Sequence, residues 1–206
     1  MTRLLVIASV LAVVAGLGAA YLSGSGPSSV DQFAQCRATS VAGGAGEIGG
    51  PFTLVSETGE TVTDADVITK PTLIYFGYTF CPDVCPLDTV RNADAVDVLE
   101  TNGHDVLPVF ISVDPERDTP QVVADFTANL HPDMLGLTGS PEQVAAASQA
   151  YRTYYRKHDD DPDYYLVDHS TFSYFVLPEH GFVEFFKRDL PPEDMAARMA
   201  CFIEAA

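Results

Sequence analysis

Basic residues are scarce in this chain: 11 lysines and arginines stand against 29 aspartates and glutamates in 206 residues, a formal net charge of -18. A surface of that sign repels phosphate backbones and anionic lipid headgroups, so nucleic-acid binding is excluded. It suits cations, or a basic patch on a partner, as well as plain solubility. No internal repeat is present. Cysteines are few, Cys36, Cys81, Cys85 and Cys201, and their meaning depends on compartment. What is abundant is apolar surface: a 47% apolar share supports a buried core and excludes global disorder. The length allows one domain plus an appendage.

The compartment is read from the N-terminus. Met1-Thr2-Arg3 is short and positive, and residues 4–22 form an apolar run in which Ser9 is the clearly polar member before Tyr21. As a helix rising about 1.5 Å per residue this run spans roughly 28 Å, close to the ~30 Å of a hydrocarbon core. Arg3 on the cytoplasmic side places everything beyond the run outside. A cleaved signal peptide is the competing reading, with Gly18-Ala19-Ala20 near a possible cut, but its apolar region is ordinarily shorter, about 7–15 residues. Either way the body is exported. The expectation is a single-pass inner-membrane protein with its body in the periplasm.

Three segments are expected: an anchor over 1–22, a flexible small-residue linker over 23–47 and a folded domain over 48–206. Phe52-Thr53-Leu54-Val55 and Thr61-Val62-Thr63 flank Glu57-Thr58-Gly59 as a hairpin. Residues 72–76 and 106–113 are short apolar runs that read as buried strands. A helix is expected from Cys81-Pro82 to about Thr101, stopped by Asn102-Gly103. Thr119-Pro120 and Ser140-Pro141 each place a capping hydroxyl before a proline at the first helical position. A short strand at 135–137, two strands at 173–177 and 182–186 joined by Pro178-Glu179-His180-Gly181, and a last helix over 191–204 complete the order. A β-hairpin, then βαβαβα, then ββα predicts an α/β fold: a mixed, partly parallel sheet with helices on both faces, which a thioredoxin-like fold with an N-terminal hairpin extension accommodates.

Cys81-Pro82-Asp83-Val84-Cys85-Pro86 falls at a strand end, where open α/β sheets bind ligands. At i, i+4 on a helical turn both sulfurs face one way, with Cβ atoms about 5–6 Å apart. A helix N-terminus favours thiolate, which binds metal or attacks disulfides. A structural disulfide is the bland alternative, though so short a loop gains little from closure. In a thioredoxin-like layout Val167-Asp168-His169-Ser170 precedes a strand and faces the cysteine turn. Thiol-disulfide enzymes of that type carry a cis-proline there; here no proline lies between Pro162 and Pro178, and His169 occupies the loop. His104, His131, His158 and His180 read as surface residues. Two thiolates and one imidazole make a soft three-ligand site suited to Cu(I). Zinc wants a fourth ligand, which Asp83 offers.

These motifs resemble those of the Sco/SenC family: Tyr75-Phe76-Gly77-Tyr78-Thr79-Phe80-Cys81-Pro82-Asp83-Val84-Cys85-Pro86, then Ser112-Val113-Asp114-Pro115-Glu116-Arg117-Asp118-Thr119-Pro120, then Tyr165-Leu166-Val167-Asp168-His169-Ser170, with Gly49-Gly50-Pro51-Phe52 similar to the family's domain opening. The resemblance implies a thioredoxin fold, an N-terminal transmembrane helix, copper bound by Cys81, Cys85 and His169, and a role in building the dinuclear copper centre of cytochrome c oxidase subunit II. It leaves open copper delivery, reduction of the recipient's cysteines and redox signalling. Asp83 and Asp168 are candidate supports behind the ligands. Cys36 and Cys201 lie outside the motifs; in an oxidising compartment a disulfide between them is favoured over free thiols. Arg117 is expected to pair with Glu116 or Asp118, with shaping of the site rim as the functional alternative. Lys157-His158-Asp159-Asp160-Asp161-Pro162-Asp163 reads as a solvated acidic segment, docking of a basic partner being the alternative.

Overall fold

The computed structural model describes residues 31–38, 48–158 and 164–206. The anchor over 1–22, most of the linker and acidic residues 159–163 lie outside the described residues. Among the described residues no helix is long and apolar enough to cross a membrane. Residues 35–206 form one compact unit, and residues 31–34 belong to another, in which the Ala34 N–H donates to the Asp31 carbonyl at 2.9 Å.

The hairpin forms as expected: β1 (Thr53–Ser56) pairs with β2 (Thr61–Thr63) across a turn in which Gly59 takes φ +85°, open to glycine. A short helix not foreseen from sequence, α1 (Asp64–Val67), follows, where the Asp66 carboxylate accepts the Thr63 N–H at 2.9 Å. The central strand is β3 (Thr72–Gly77), buried along its whole length. It runs parallel to β4 (Leu107–Ser112), which runs parallel to β5 (Leu135–Thr138). On its other side β3 pairs antiparallel with β8 (Ser173–Leu177), and β8 pairs with the edge strand β9 (Gly181–Phe186). The seven-stranded order is β2-β1-β5-β4-β3-β8-β9. This is the mixed, partly parallel sheet expected from the element order.

Helices cover both faces. Side chains alternate along β3, so Tyr75 and Gly77 share one face and Ile74 and Phe76 the other. On the Tyr75 face lie α2 (Val84–Thr101), α3 (Pro120–Ala128) and α5 (Pro192–Ala205). Phe110 meets Phe126 of α3 at 4.8 Å between ring centroids, and Phe175 meets Phe202 of α5 at 6.3 Å. On the opposite face Tyr151, at the end of α4 (Pro141–Ala150), stands 5.5 Å from Phe76 and 5.6 Å from Tyr174. Thr119 and Ser140 cap α3 and α4, accepting the N–H groups of Val122 at 3.4 Å and Gln143 at 3.2 Å.

Two differences from the sequence reading position the site. First, α2 begins at Val84, with Asp83 as its cap residue, so Cys81 stands before the helix. Pro86 dictates this: a helix opening at Cys81 would need a Pro86 N–H to bond the Pro82 carbonyl, and proline has none. Starting at Val84 puts Pro86 in the first turn, where an amide proton has no helical partner anyway. Second, β6 (Tyr155–Lys157) and β7 (Val167–His169) form a separate antiparallel ribbon with Tyr155 opposite His169. Three-residue charged strands are too short for their alternation to be read from sequence.

Candidate metal centre

The cysteine turn leaves the C-terminal end of β3 and the histidine ends β7. These two pieces of chain bring the Sγ atoms of Cys81 and Cys85 and a ring nitrogen of His169 within 4.8 Å of one another. Cys85 is fully buried on the first turn of α2, 3.0 Å from His169 Nε2. Cys81 remains 9% exposed, and its sulfur accepts the Cys85 N–H at 3.4 Å, standing in for a helix cap. Both thiols are free. Gly77 makes room: a Cβ there would lie 2.9 Å from the Tyr75 ring and 3.3 Å from the Cys85 sulfur.

The His169 ring is oriented from behind. Its Nδ1 lies 2.9 Å from the Ser170 carbonyl, an acceptor only, so the proton sits on Nδ1 and the Nε2 lone pair faces the sulfurs. Tyr75 and Tyr78 meet the imidazole edge-on at 6.0 Å and 5.8 Å. The Tyr75 hydroxyl donates to Asp88 at 3.0 Å, and that buried carboxylate faces Arg188 at 3.6 Å.

The two thiols differ in acidity. A hydrogen bond from Cys85 pulls Cys81 down to about 3, and the backbone N–H groups of Asp83 and Cys85 add to this, against the opposing effect of burial. Cys85 is pushed up, first because its thiol donates to Cys81 and then because it is buried. Burial also pushes the neighbouring Tyr78 up to about 12. Cys81 is therefore the more acidic of the two sulfurs and the one poised to be a thiolate.

Of the supports expected from sequence, neither carboxylate joins the three ligand atoms. Asp83 is exposed, its side chain makes no capping bond, and its contribution is a backbone N–H toward Cys81. Asp168 alternates away from His169 along β7 and pairs with His158 at 2.8 Å and Arg156 at 3.2 Å. His158 first, then Arg156, hold its carboxyl below the usual range. The residues behind the ligands are Tyr75, Tyr78 and Asp88, which sequence reasoning missed. A signal existed for Asp88, three residues after Cys85 and therefore on the same helical face.

Cys36 and Cys201 are joined by a disulfide, at a sequence separation of 165. Beside it Arg37 donates to the Val183 carbonyl and the Ala38 N–H to Glu184 at 3.2 Å, so residues 35–38, within the stretch read as linker, lie against the body. Arg117 pairs with Asp114 at 2.5 Å, not with Glu116 or Asp118: Glu116 takes Lys157, and Asp118 is buried among hydroxyl and amide donors. His131 is buried rather than on the surface. It groups with Asp97 and Glu100, but its Nδ1 accepts the Asp133 N–H at 3.2 Å, so Nε2 carries the proton toward Asp97 at 3.3 Å. That is a hydrogen bond tying α2 to the loop after α3, with no lone pair offered to a metal.

A family model described as SCO1/SenC matches residues 41–204. Protein SenC of Rhodobacter capsulatus is 52% identical over 204 residues, covering 99% of this chain and 91% of that protein. The mitochondrial SCO1 homolog of Homo sapiens is 41% identical over 157 residues, 74% of this chain and 52% of that protein. Among solved structures, Arabidopsis thaliana ScoI with copper bound aligns with a TM-score of 0.72 at 42% identity, covering 76% of this chain and 99% of that one. Yeast Sco1 with copper bound aligns with a TM-score of 0.74 at 33% identity, covering 78% and 90%.

Proposed function

Because the chain belongs to the SCO1/SenC family, we propose that it is a copper-binding metallochaperone of cytochrome c oxidase assembly. Copper is its cargo, held by Cys81, Cys85 and His169 and handed to the dinuclear site of oxidase subunit II. The observation that carries this reading is the convergence of two sulfurs with an imidazole already in the metal-binding tautomer. Cu(I) is satisfied by soft donors at low coordination number, whereas a structural zinc site wants a fourth ligand, and the Asp83 carboxylate stands outside the ligand group.

The residues divide the work. Cys81 offers a thiolate in advance. Cys85 gives up its proton when the metal binds, so binding releases that proton to solvent. His169 is held by Ser170 and flanked by Tyr75 and Tyr78, which limits its rotation. Three ligands leave a fourth position through which an incoming thiolate begins the exchange. The same proposal includes a membrane anchor over residues 4–22, supported by apolar length and by Arg3, and a domain facing the periplasm.

The lowered pKa of Cys81 favours a second reading, a thiol-disulfide reductase. In that reaction the thiolate attacks a disulfide on the target. Cys85 then resolves the mixed disulfide, oxidising this pair while the target gains two thiols. Oxidase activity in cells carrying C81S, C85S or H169A, with copper and a thiol reductant supplied separately, distinguishes the two. Delivery requires all three variants to lose activity under copper limitation, with partial rescue by added copper through mass action. Wild-type behaviour of H169A, with rescue of the cysteine variants by reductant alone, establishes the reductase.

A further inference from the structure

The histidine ribbon β6–β7 is not hydrogen-bonded into the seven-stranded sheet. No strand ladder therefore sets the distance between His169 and the cysteines; other contacts span the gap, among them Tyr78 with the Val167 backbone. The segment after β4, residues 114–118, touches both sides.

Toward the cysteines, Asp118 is fully buried and accepts three hydrogen bonds: from the Thr79 N–H at 3.0 Å, the Thr79 hydroxyl at 2.6 Å and the Ser112 hydroxyl at 2.5 Å. That fixes the cysteine turn two residues before Cys81. Toward the ribbon, Asp114 accepts the Tyr165 hydroxyl at 2.7 Å, and Glu116 accepts Lys157 at 2.5 Å. Arg117 spans the two. Its Nη1 donates to the Tyr165 carbonyl at 3.0 Å, and its guanidinium carbon lies 3.6 Å from the Tyr165 ring centroid. The same group sits 4.9 Å from the Phe80 ring and 5.7 Å from the Tyr78 ring, on the approach to Cys81. Asp114 holds its Nε, and its buried Nη2 has no hydrogen-bond partner. A planar cation laid among three aromatic rings is a site for arginine; the compact ammonium of lysine cannot stack in this way.

We infer that residues 114–118 are a clamp setting the sulfur-to-imidazole distance, and that Arg117 is its positioning residue. The inference rests on the reading of Cys81, Cys85 and His169 as the copper ligands. Arg117 touches no ligand atom; it acts through Phe80 and Tyr78 on one side and Tyr165 on the other. Loosening it frees the ribbon, so the site keeps its two sulfurs and loses its nitrogen.

The test uses the purified full chain as wild type, R117K, R117M and, as control, R156Q, which breaks an exposed ion pair on the same ribbon. Cu(I) affinity is measured by competition with a chromophoric chelator, the ligand set by X-ray absorption, the metal-free His169 ring by nitrogen NMR, and stability by thermal unfolding. The expected result for R117K and R117M is a loss of about tenfold or more in Cu(I) affinity, a weakened nitrogen shell, and a shifted or broadened His169 signal before any metal is added. R156Q should match wild type. Wild-type affinity and nitrogen shell in R117K overturn the inference. So does an affinity loss that tracks unfolding temperature while the nitrogen shell stays intact, because that is a merely structural role. If R117M does not fold, R117K decides. A wild-type protein that binds Cu(I) without nitrogen refutes the ligand assignment instead, and the metal-free His169 signal still reports on the clamp.

Discussion

A single proton separates the two cysteines. Cys81 is pulled down to about 3 by its bond from Cys85, and Cys85 is pushed up by donating it and by burial. Near neutral pH, Cu(I) binding therefore displaces one proton, from Cys85. Log affinity should rise by about one unit per pH unit between about pH 6 and pH 8. Two ordinary thiols would give a slope nearer two, and chelator competition across that range tells them apart. Gly77 is the other exacting position: G77A forces a Cβ against Tyr75 and Cys85. The expected cost is about 1–3 kcal/mol in chemical denaturation, with weakened Cu(I) binding because Cys85 must shift. The three candidate ligands were legible in sequence, since the cysteines are near neighbours and His169 sits where a related layout would place proline. The tautomer of His169 and the tyrosine walls were not, because they depend on where Ser170, Tyr75 and Tyr78 point after folding.

Among the elements, the strands and capped helices followed from local chemistry, and their ends moved by a residue or two. Ser140 illustrates the legible kind. Its hydroxyl accepts the Gln143 N–H, and Gln143 returns a bond to the Ser140 N–H at 2.8 Å. S140A should lower stability by about 1 kcal/mol in a denaturant titration and leave Cu(I) affinity unchanged, because α4 lies on the sheet face opposite the site. The start of α2 could have been read from Pro86, whose missing amide proton forbids a helix opening at Cys81. The β6–β7 ribbon is the illegible kind. Its residues satisfy partners distant in sequence, as when Lys157 meets Glu116, and no local pattern announces such pairs.

At the scale of the whole molecule, the Cys36–Cys201 disulfide fastens the segment before the domain to the last helix. It closes most of the chain into one loop, and it involves neither Cys81 nor Cys85. C36S/C201S should lower unfolding free energy by about 2–4 kcal/mol with Cu(I) stoichiometry intact, read by denaturation and metal titration on the same sample. A change in stoichiometry would mean that the outer cysteines communicate with the site. The pairing was an expectation from compartment and even count, and it could not be read from spacing, because only the folded chain brings 36 beside 201.

We propose that the fold holds one copper between two sulfurs and one imidazole. The most direct measurement is X-ray absorption of the Cu(I)-loaded full chain, wild type against H169A. The expected result is one copper per chain with two sulfur and one nitrogen scatterers, and loss of the nitrogen in H169A. A sulfur-only spectrum that H169A leaves unchanged would contradict it.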